Sequence, residues 1–243
     1  MQVPTVTDLL NVWDSGFGAS HAERALLLLE TLRPEQASQF AAMPLGWVTA
    51  QLLQLHVRLM GPALACVGTC PRCEASVECE IGIDQITTLA ECPASATGIL
   101  EIRQESYRVE YRLPTCEDLL VLSGDTQTAA LTLAHRLILN VTHAGAVLEP
   151  AELPPELSAA VEAAVLENDP LVQMELQLVC PTCGYRWTEA LEIVDFVWRE
   201  VSVLAQQLLA DVARLAYAFG WKESDILAMS HQRRRRYLEM LPA

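Results

Sequence analysis

CPRCEASVECEIGI (residues 70–83) and CPTCGYRWTEALEI (residues 180–193) are two versions of one short pattern, and the rest of the chain is read outward from them. They agree at both cysteines, at the proline between them and at a closing isoleucine, Ile83 or Ile193. After the first pair, Val77, Cys79, Ile81 and Ile83 alternate with Glu78, Glu80 and Gly82, the two-residue period of a half-buried strand. Leu64–Val67 is a short apolar run ahead of it. Around the second pair, Val172–Val179 and Trp187–Val194 are strand-like in the same way. Each Cys-Pro-x-Cys is therefore expected at a strand–turn–strand, in a weak internal repeat of knuckle plus strand.

Thiolate is a soft ligand that favours tetrahedral zinc, and two such turns supply four sulfurs. Cys70, Cys73, Cys180 and Cys183 are expected to form one structural zinc site. Four thiolates leave no open position for water or substrate, so the metal would not be catalytic. Gly184 suits the tight turn after the second pair better than Glu74 suits the first. The pairs lie 106 residues apart, far more than in a compact zinc finger, which weakens the motif taken alone. A thioredoxin-like redox pair is one rival; such a pair opens a helix, whereas both of these lead into β-patterned sequence. Unmetallated structural cysteines are the other. The remaining four, Cys66, Cys79, Cys92 and Cys116, are scattered and read as small buried apolar residues.

Sixteen basic against 31 acidic residues give a formal charge of −15, which repels phosphate backbones. Nucleic acid is thus an unexpected partner. The first residues lack the basic and apolar regions of a signal peptide, and no window is apolar for long enough to span a membrane. A soluble, cytoplasmic protein is expected. His21, His56, His135, His143 and His231 fall in no ligand or triad spacing, and no phosphate-binding or nucleophile motif occurs, so no enzyme is expected.

Helices are expected on both sides of the paired cysteines. Ser20 and Glu23 have capping-box spacing ahead of Ala25–Leu32, with Pro34 as the stop, and Trp47, Leu52, Leu55 and Leu59 recur at helical spacing up to Gly61-Pro62. Ile99–Arg103 and Tyr107–Arg112 suggest a hairpin. Thr115 and Asp118 cap a short helix closed by Gly124, and Ala129–Leu139 and Glu156–Glu167 are further helices. A long helix is predicted over Asp195–Phe219, ended by Gly220, with two short ones after it. The expected fold is α+β: a zinc ribbon of two CPxC knuckles with β-strands, in halves 63–92 and 171–194, holding an inserted hairpin and helical segment (93–170). Helical regions at 1–62 and 195–243 flank the domain 63–194.

The C-terminal region carries the one basic run, Arg233–Arg236, close to Trp221. A small helical cap with solvated arginines explains it. So does a docking surface in which Trp221, Arg233, Arg234, Arg235 and Arg236 meet carboxylates of a partner. A helix-turn-helix reader of DNA is a third reading.

The order of these features resembles the baseplate hub assembly chaperones of T-even-type (T-four-like) phages, found in the tail clusters of contractile phages and contractile injection systems. The residues that carry the likeness are the two cysteine pairs, YRLPTCEDL (Tyr111–Leu119), Asn168-Asp-Pro170 and the tail LAYAFGWKESDILAMSHQRRRRYLEML (Leu215–Leu241), the tail most of all. It extends from about Val67 to the C-terminus. Distant members lack the cysteines, so zinc rests on local chemistry and not on the family. The resemblance implies a non-enzymatic chaperone or adaptor that binds baseplate hub or spike proteins. It would work in the cytoplasm of a bacterial or archaeal host or on an assembling tail. A permanent baseplate component, or a zinc-ribbon nucleic-acid-binding regulator, are the alternatives.

Overall fold

Side-chain caps start the N-terminal helices. In the computed structural model, which describes residues 4–32, 37–89, 98–122 and 125–241, Thr5 and Asp8 form a capping box on α1 (Val6–Ser15). Ser20 does the same for α2 (His21–Leu32): its N–H donates to Glu23 Oε2 at 2.7 Å, and the Glu23 N–H donates back to Ser20 Oγ at 3.4 Å. A short α3 (Ala37–Phe40) leads into α4 (Leu45–Leu59). Pro34, Cys92 and Gly124, each given a role above, lie outside the described residues.

Next come a hairpin, β1 (Ala63–Thr69) and β2 (Ser76–Gly82), and α5 (Ile83–Leu89). A four-stranded antiparallel sheet follows in simple order, β3 (Leu100–Gln104), β4 (Tyr107–Tyr111), β5 (Ile138–His143) and β6 (Ala146–Leu148). Between β4 and β5 lie α6 (Cys116–Leu120) and α7 (Thr126–Leu137), and after β6 comes α8 (Pro155–Asn168). A second hairpin, β7 (Glu175–Val179) and β8 (Arg186–Ala190), feeds the 27-residue α9 (Ile193–Phe219), and α10 (Glu223–Leu227) and α11 (His231–Glu239) complete the described chain. The mixed α+β character matches expectation.

Several elements differ from the sequence reading, among them Ile83, expected to close a strand, which starts α5. The helix expected over Ala129–Leu139 runs from Thr126 to Leu137, and the chain then becomes β5 at Ile138. Strands β5 and β6 were not foreseen. The strand expected over Trp187–Val194 stops at Ala190, because the chain turns into α9 at Ile193.

One core joins both ends of the chain. Leu28, Leu52, Leu53 and Leu55 from α2 and α4 are buried with Val197 and Val201 of α9, and Leu64, Ile83 and Leu191 bring the bases of both hairpins into the same cluster. Packing therefore crosses the boundaries drawn at 62/63 and 194/195. The sheet forms a second core, in which Val109, Tyr111 and Val141 lie beneath Leu157, Val161 and Val165 of α8. A third, small core joins the far half of α9 to the last two helices through Val212, Leu215 and Ile226.

Two buried carboxylates fasten the first two cores together. Helix α4 follows Pro44, which provides no side-chain cap; instead the Gly46 N–H donates to Asp169 Oδ2 at 2.9 Å, across 123 positions of sequence. Asp169 is 2% exposed, and burial pushes its carboxyl above the usual value against the opposing pull of the Gly46 and Leu171 N–H groups. A β-carbon at position 46 would stand 1.6 Å from Asp169 Oδ1. Gly46→Ala is accordingly expected to cost roughly 1–3 kcal/mol in urea unfolding, as overpacking does. Asp118 is the second carboxylate, fully buried at the start of α6. It accepts two hydrogen bonds from Arg112 at 2.6 and 2.7 Å, one from Arg136 Nε at 2.8 Å, and the Thr115 N–H and hydroxyl at 3.0 Å each. Burial alone would raise its pKa, yet these donors hold the carboxyl well below the usual carboxylate range.

Candidate metal centre

Each knuckle is a closed turn made by its own backbone. The Cys70 N–H donates to Ala75 O and the Glu74 N–H to Cys70 O, both at 2.9 Å. In the second knuckle Cys180 donates to Tyr185 O and Gly184 to Cys180 O, again at 2.9 Å. The strands repeat the correspondence: Cys66 faces Cys79 and Thr69 faces Ser76, while Leu176 faces Glu189 and Val179 faces Arg186. Both hairpins therefore keep the same register relative to their knuckles, with the same offset that takes Cys70 to Cys180. The weak repeat in sequence is a full repeat in backbone geometry.

Closing the turn requires a left-handed residue after the second cysteine. Gly184 takes φ of +70° there, and Glu74 is held at +59°, where a β-carbon is strained. Glu74→Gly should relieve that strain, offset in part by the freedom glycine adds to the unfolded chain. The net gain expected is up to about 1 kcal/mol of stability, read by thermal melting, with the metal stoichiometry unchanged.

The knuckles meet tip to tip. All four sulfurs lie within 4.8 Å of one another, with Cys70 Sγ 3.7 Å from Cys183 Sγ and Cys73 Sγ 3.5 Å from Cys180 Sγ. A tetrahedral ion with metal–sulfur bonds of about 2.3 Å requires sulfur–sulfur edges of roughly 3.8 Å. The donor set and its spacing can hold a metal ion. Among the described residues this is the one group of three or more Cys, His, Asp or Glu placed to do so. Cys70 and Cys180 are buried, Cys183 is half-buried, and Cys73 is exposed. Val77, Ala75 and Trp187 pack around the buried pair.

The local fields prepare thiolates unevenly. The Cys183 and Thr182 N–H groups point at the Cys180 sulfur and lower its pKa to about 6. The Ala75 N–H would do likewise for Cys73, but the crowd of sulfurs from Cys183, Cys180 and Cys70 pushes that thiol up to about 12. Four sulfurs this close resist joint ionisation unless a cation is shared among them.

Other cysteines and histidines have structural surroundings. Cys116 is buried in the main core, where burial pushes its thiol up to about 11. His56 is 1% exposed, with Nδ1 2.5 Å from Glu200 Oε2 and Nε2 3.0 Å from Ala63 O, so it ties α4 to α9 and to β1. His21 reaches Asp195 at 2.9 Å, and His143 stacks on Tyr107.

The tail residues do not all reach the surface. Trp221 is half-buried, stacked on Phe219 at 4.5 Å and edge-on to Tyr237 at 4.8 Å. Arg233, Arg235 and Arg236 are exposed; Arg233 lies over the Tyr237 ring, and Arg235 pairs with Glu239 at 3.3 Å. Arg234 is different. It is 1% exposed, its Nη1 donates to Met229 O at 2.6 Å, and its Nε has no partner among the described residues. A helix of 3.6 residues per turn turns one of four consecutive side chains inward, so Arg234 leaves the proposed docking set.

The motifs that suggested a relationship are mostly joints. Tyr111, Thr115 and Asp118 of YRLPTCEDL, with Asn168 and Asp169, line the seam between the two larger cores: Asn168 Nδ2 donates to Tyr111 Oη at 3.3 Å, and Pro114 O accepts from the Leu45 N–H at 2.9 Å. Sequence reasoning gave Asp118 its cap on α6 and quoted Asp169 within a motif, but missed their ties to Arg112, Arg136 and Gly46, because those partners are distant or shared.

Comparison with known proteins gives one family match. The profile of the family described as T4 bacteriophage base plate protein matches residues 25–198, from within α2 to the start of α9. Both knuckles and the seam are inside the matched region. The tail Leu215–Leu241, taken above as the strongest part of the resemblance, falls outside it, and most of the N-terminal helices fall within. No curated protein and no solved structure matches the chain.

Proposed function

Because the chain belongs to the T4 bacteriophage base plate protein family, we propose that it is a non-enzymatic assembly chaperone or adaptor for the baseplate hub of a contractile phage tail or contractile injection system. Family membership over residues 25–198 is the observation that carries this reading. The fold supports it with two cores braced by buried carboxylates and two final helices packed on the far half of α9. Cys70, Cys73, Cys180 and Cys183 would hold one zinc ion, closing a zinc ribbon. The ion would supply structure and no chemistry, since all four positions are filled by protein. No helix among the described residues is long and apolar enough to cross a membrane, in keeping with work in the host cytoplasm.

Hub or spike proteins of the tail are the proposed partners. Co-expression with the neighbouring tail genes followed by affinity capture tests this directly. Recovery of a hub or spike protein supports the reading, and capture of none of them rejects it. The family's description as a base plate protein favours a second reading, a permanent component of the particle. Mass spectrometry of finished particles separates the two, since a chaperone is absent from them. A charge of −15 and the burial of Arg234 weigh against a nucleic-acid regulator.

Trp221 with Arg233, Arg235 and Arg236 is the docking surface proposed within this reading. Reversing charge at Arg233 and Arg236 together should leave folding within about 0.5 kcal/mol, because both are exposed. Hub or spike affinity should fall about tenfold or more, with the loss concentrated in the association rate and largest at low salt. Full affinity in the double variant would reduce the arginines to a solvated face.

A further inference from the structure

Cys66 on β1 and Cys79 on β2 stand directly opposite each other in the antiparallel register. Opposed residues of such a pair have Cα atoms about 4.5–5.5 Å apart and side chains on one face. That spacing lies inside the roughly 4.4–6.8 Å that a disulfide spans. Both thiols are half-buried. Neither belongs to the four-sulfur group, and the corresponding residues in the other hairpin are Leu176 and Glu189, so the knuckle itself does not require a cysteine here. The pair lines a cavity of about 490 Å³ between the two hairpins and α9, walled by Leu178, Phe196 and Arg199.

We propose that Cys66 and Cys79 are a dithiol that a low-molecular-weight disulfide of the glutathione class oxidises to a cross-strand disulfide, leaving the metal site intact. One cysteine thiolate attacks a sulfur of the reagent, forming a mixed disulfide and expelling one reagent thiolate. The second cysteine then attacks the protein sulfur of that mixed disulfide, forming the 66–79 bond and expelling the other half. Two protein thiols lose two electrons and two protons; the reagent disulfide takes up the electrons, and the protons end on its two thiols or in solvent. Burial and the adjacent Cys79 raise the Cys66 thiol to about 11, which keeps the exchange slow and the dithiol intact in a reducing interior. The bond would enclose Cys70 and Cys73 in a covalent loop and fix the first knuckle whether or not metal is present. In a protein carried out of a reducing cell, it would be a second fastener beside the metal. The inference rests on hairpin register and is independent of the baseplate reading.

The test uses full-length, metal-loaded protein incubated with glutathione disulfide. Free thiols are capped, unreduced peptides are mapped by mass spectrometry, and metal is measured by elemental analysis. The expected result is loss of two cappable thiols, a Cys66–Cys79 cross-link and unchanged metal content. Cys79→Ser should instead accumulate a glutathione adduct on Cys66. Three results would overturn the proposal: no thiol lost under conditions that oxidise the unfolded chain, a stable adduct on wild-type Cys66 without the cross-link, or a cross-link through Cys70, Cys73, Cys180 or Cys183 with loss of metal.

Discussion

Cys183→Ser is expected to abolish stoichiometric metal binding and to unfold both knuckles together with the hairpin ends that carry them. Structural zinc sites contribute on the order of 10 kcal/mol, comparable to the whole net stability of a domain. Little else replaces it here: the contacts around the four sulfurs are the small cluster of Val77, Ala75 and Trp187. The damage should spread inward, because Leu64, Ile83 and Leu191 at the hairpin bases belong to the main core. Elemental analysis of the purified variant, with far-UV circular dichroism and thermal melting, reads both effects. Acid should mimic the mutation, since protons compete with metal for thiolates and metal affinity falls as pH falls. Cys116→Ser is the control. It should keep its metal and lose at most a few kcal/mol, because its thiol is a buried core group away from the site. A Cys183→Ser protein that retains one metal and melts normally would remove the four-sulfur centre from the account.

Asp118→Ala is expected to cost about 3–5 kcal/mol, the range for removing one partner of a buried ion pair. Its loss strands Arg112 and Arg136, whose side chains are 30% and 39% exposed and so recover only part of their hydration. It also uncaps α6 at Thr115 and loosens the joint between the two larger cores. Linkage gives a second signature. The folded carboxyl titrates below its unfolded value of about 3.9, so its stabilisation is complete above that pH and is lost as pH falls through the folded pKa. Wild type should therefore lose stability below about pH 4 more steeply than Asp118→Ala. Equal slopes for the two proteins would mean that the carboxylate contributes nothing through its charge.

Much of the site could be read from the chain because it is local. A Cys-Pro-x-Cys turn flanked by alternating residues contains its own geometry, and Ser20, Thr115 and Ser230 announce their helices in the same way. What failed was non-local. Ile138 and Val141 are both buried, a spacing of three that mimics a helix, because a register shift beside Tyr111 breaks the two-residue period of β5. The β5–β6 turn uses Ala144 and Gly145, both at positive φ, in place of the stronger Asn-Gly signal. Helix α9 has Glu192 at its N-cap without a side-chain hydrogen bond, so no capping signal in the sequence halts the preceding strand. Asp169 caps a helix more than a hundred residues away, and Cys66 and Cys79 read as scattered until the hairpin register set them face to face.

The long interval between the knuckles also sets a clock. During synthesis at about 5–20 residues per second, the second pair of sulfurs follows the first by roughly 5–20 s. The first hairpin waits through that interval with two ligands of four, too few to hold a metal ion firmly. Helix α9, which supplies Val197 and Val201 to the main core, is made later still. The sheet of β3–β6 with α8 has its own core and can fold while the ends wait. The nascent chain can thus pass through a state in which the sheet is folded and the two knuckles are apart, to be joined only after the second hairpin and α9 are made.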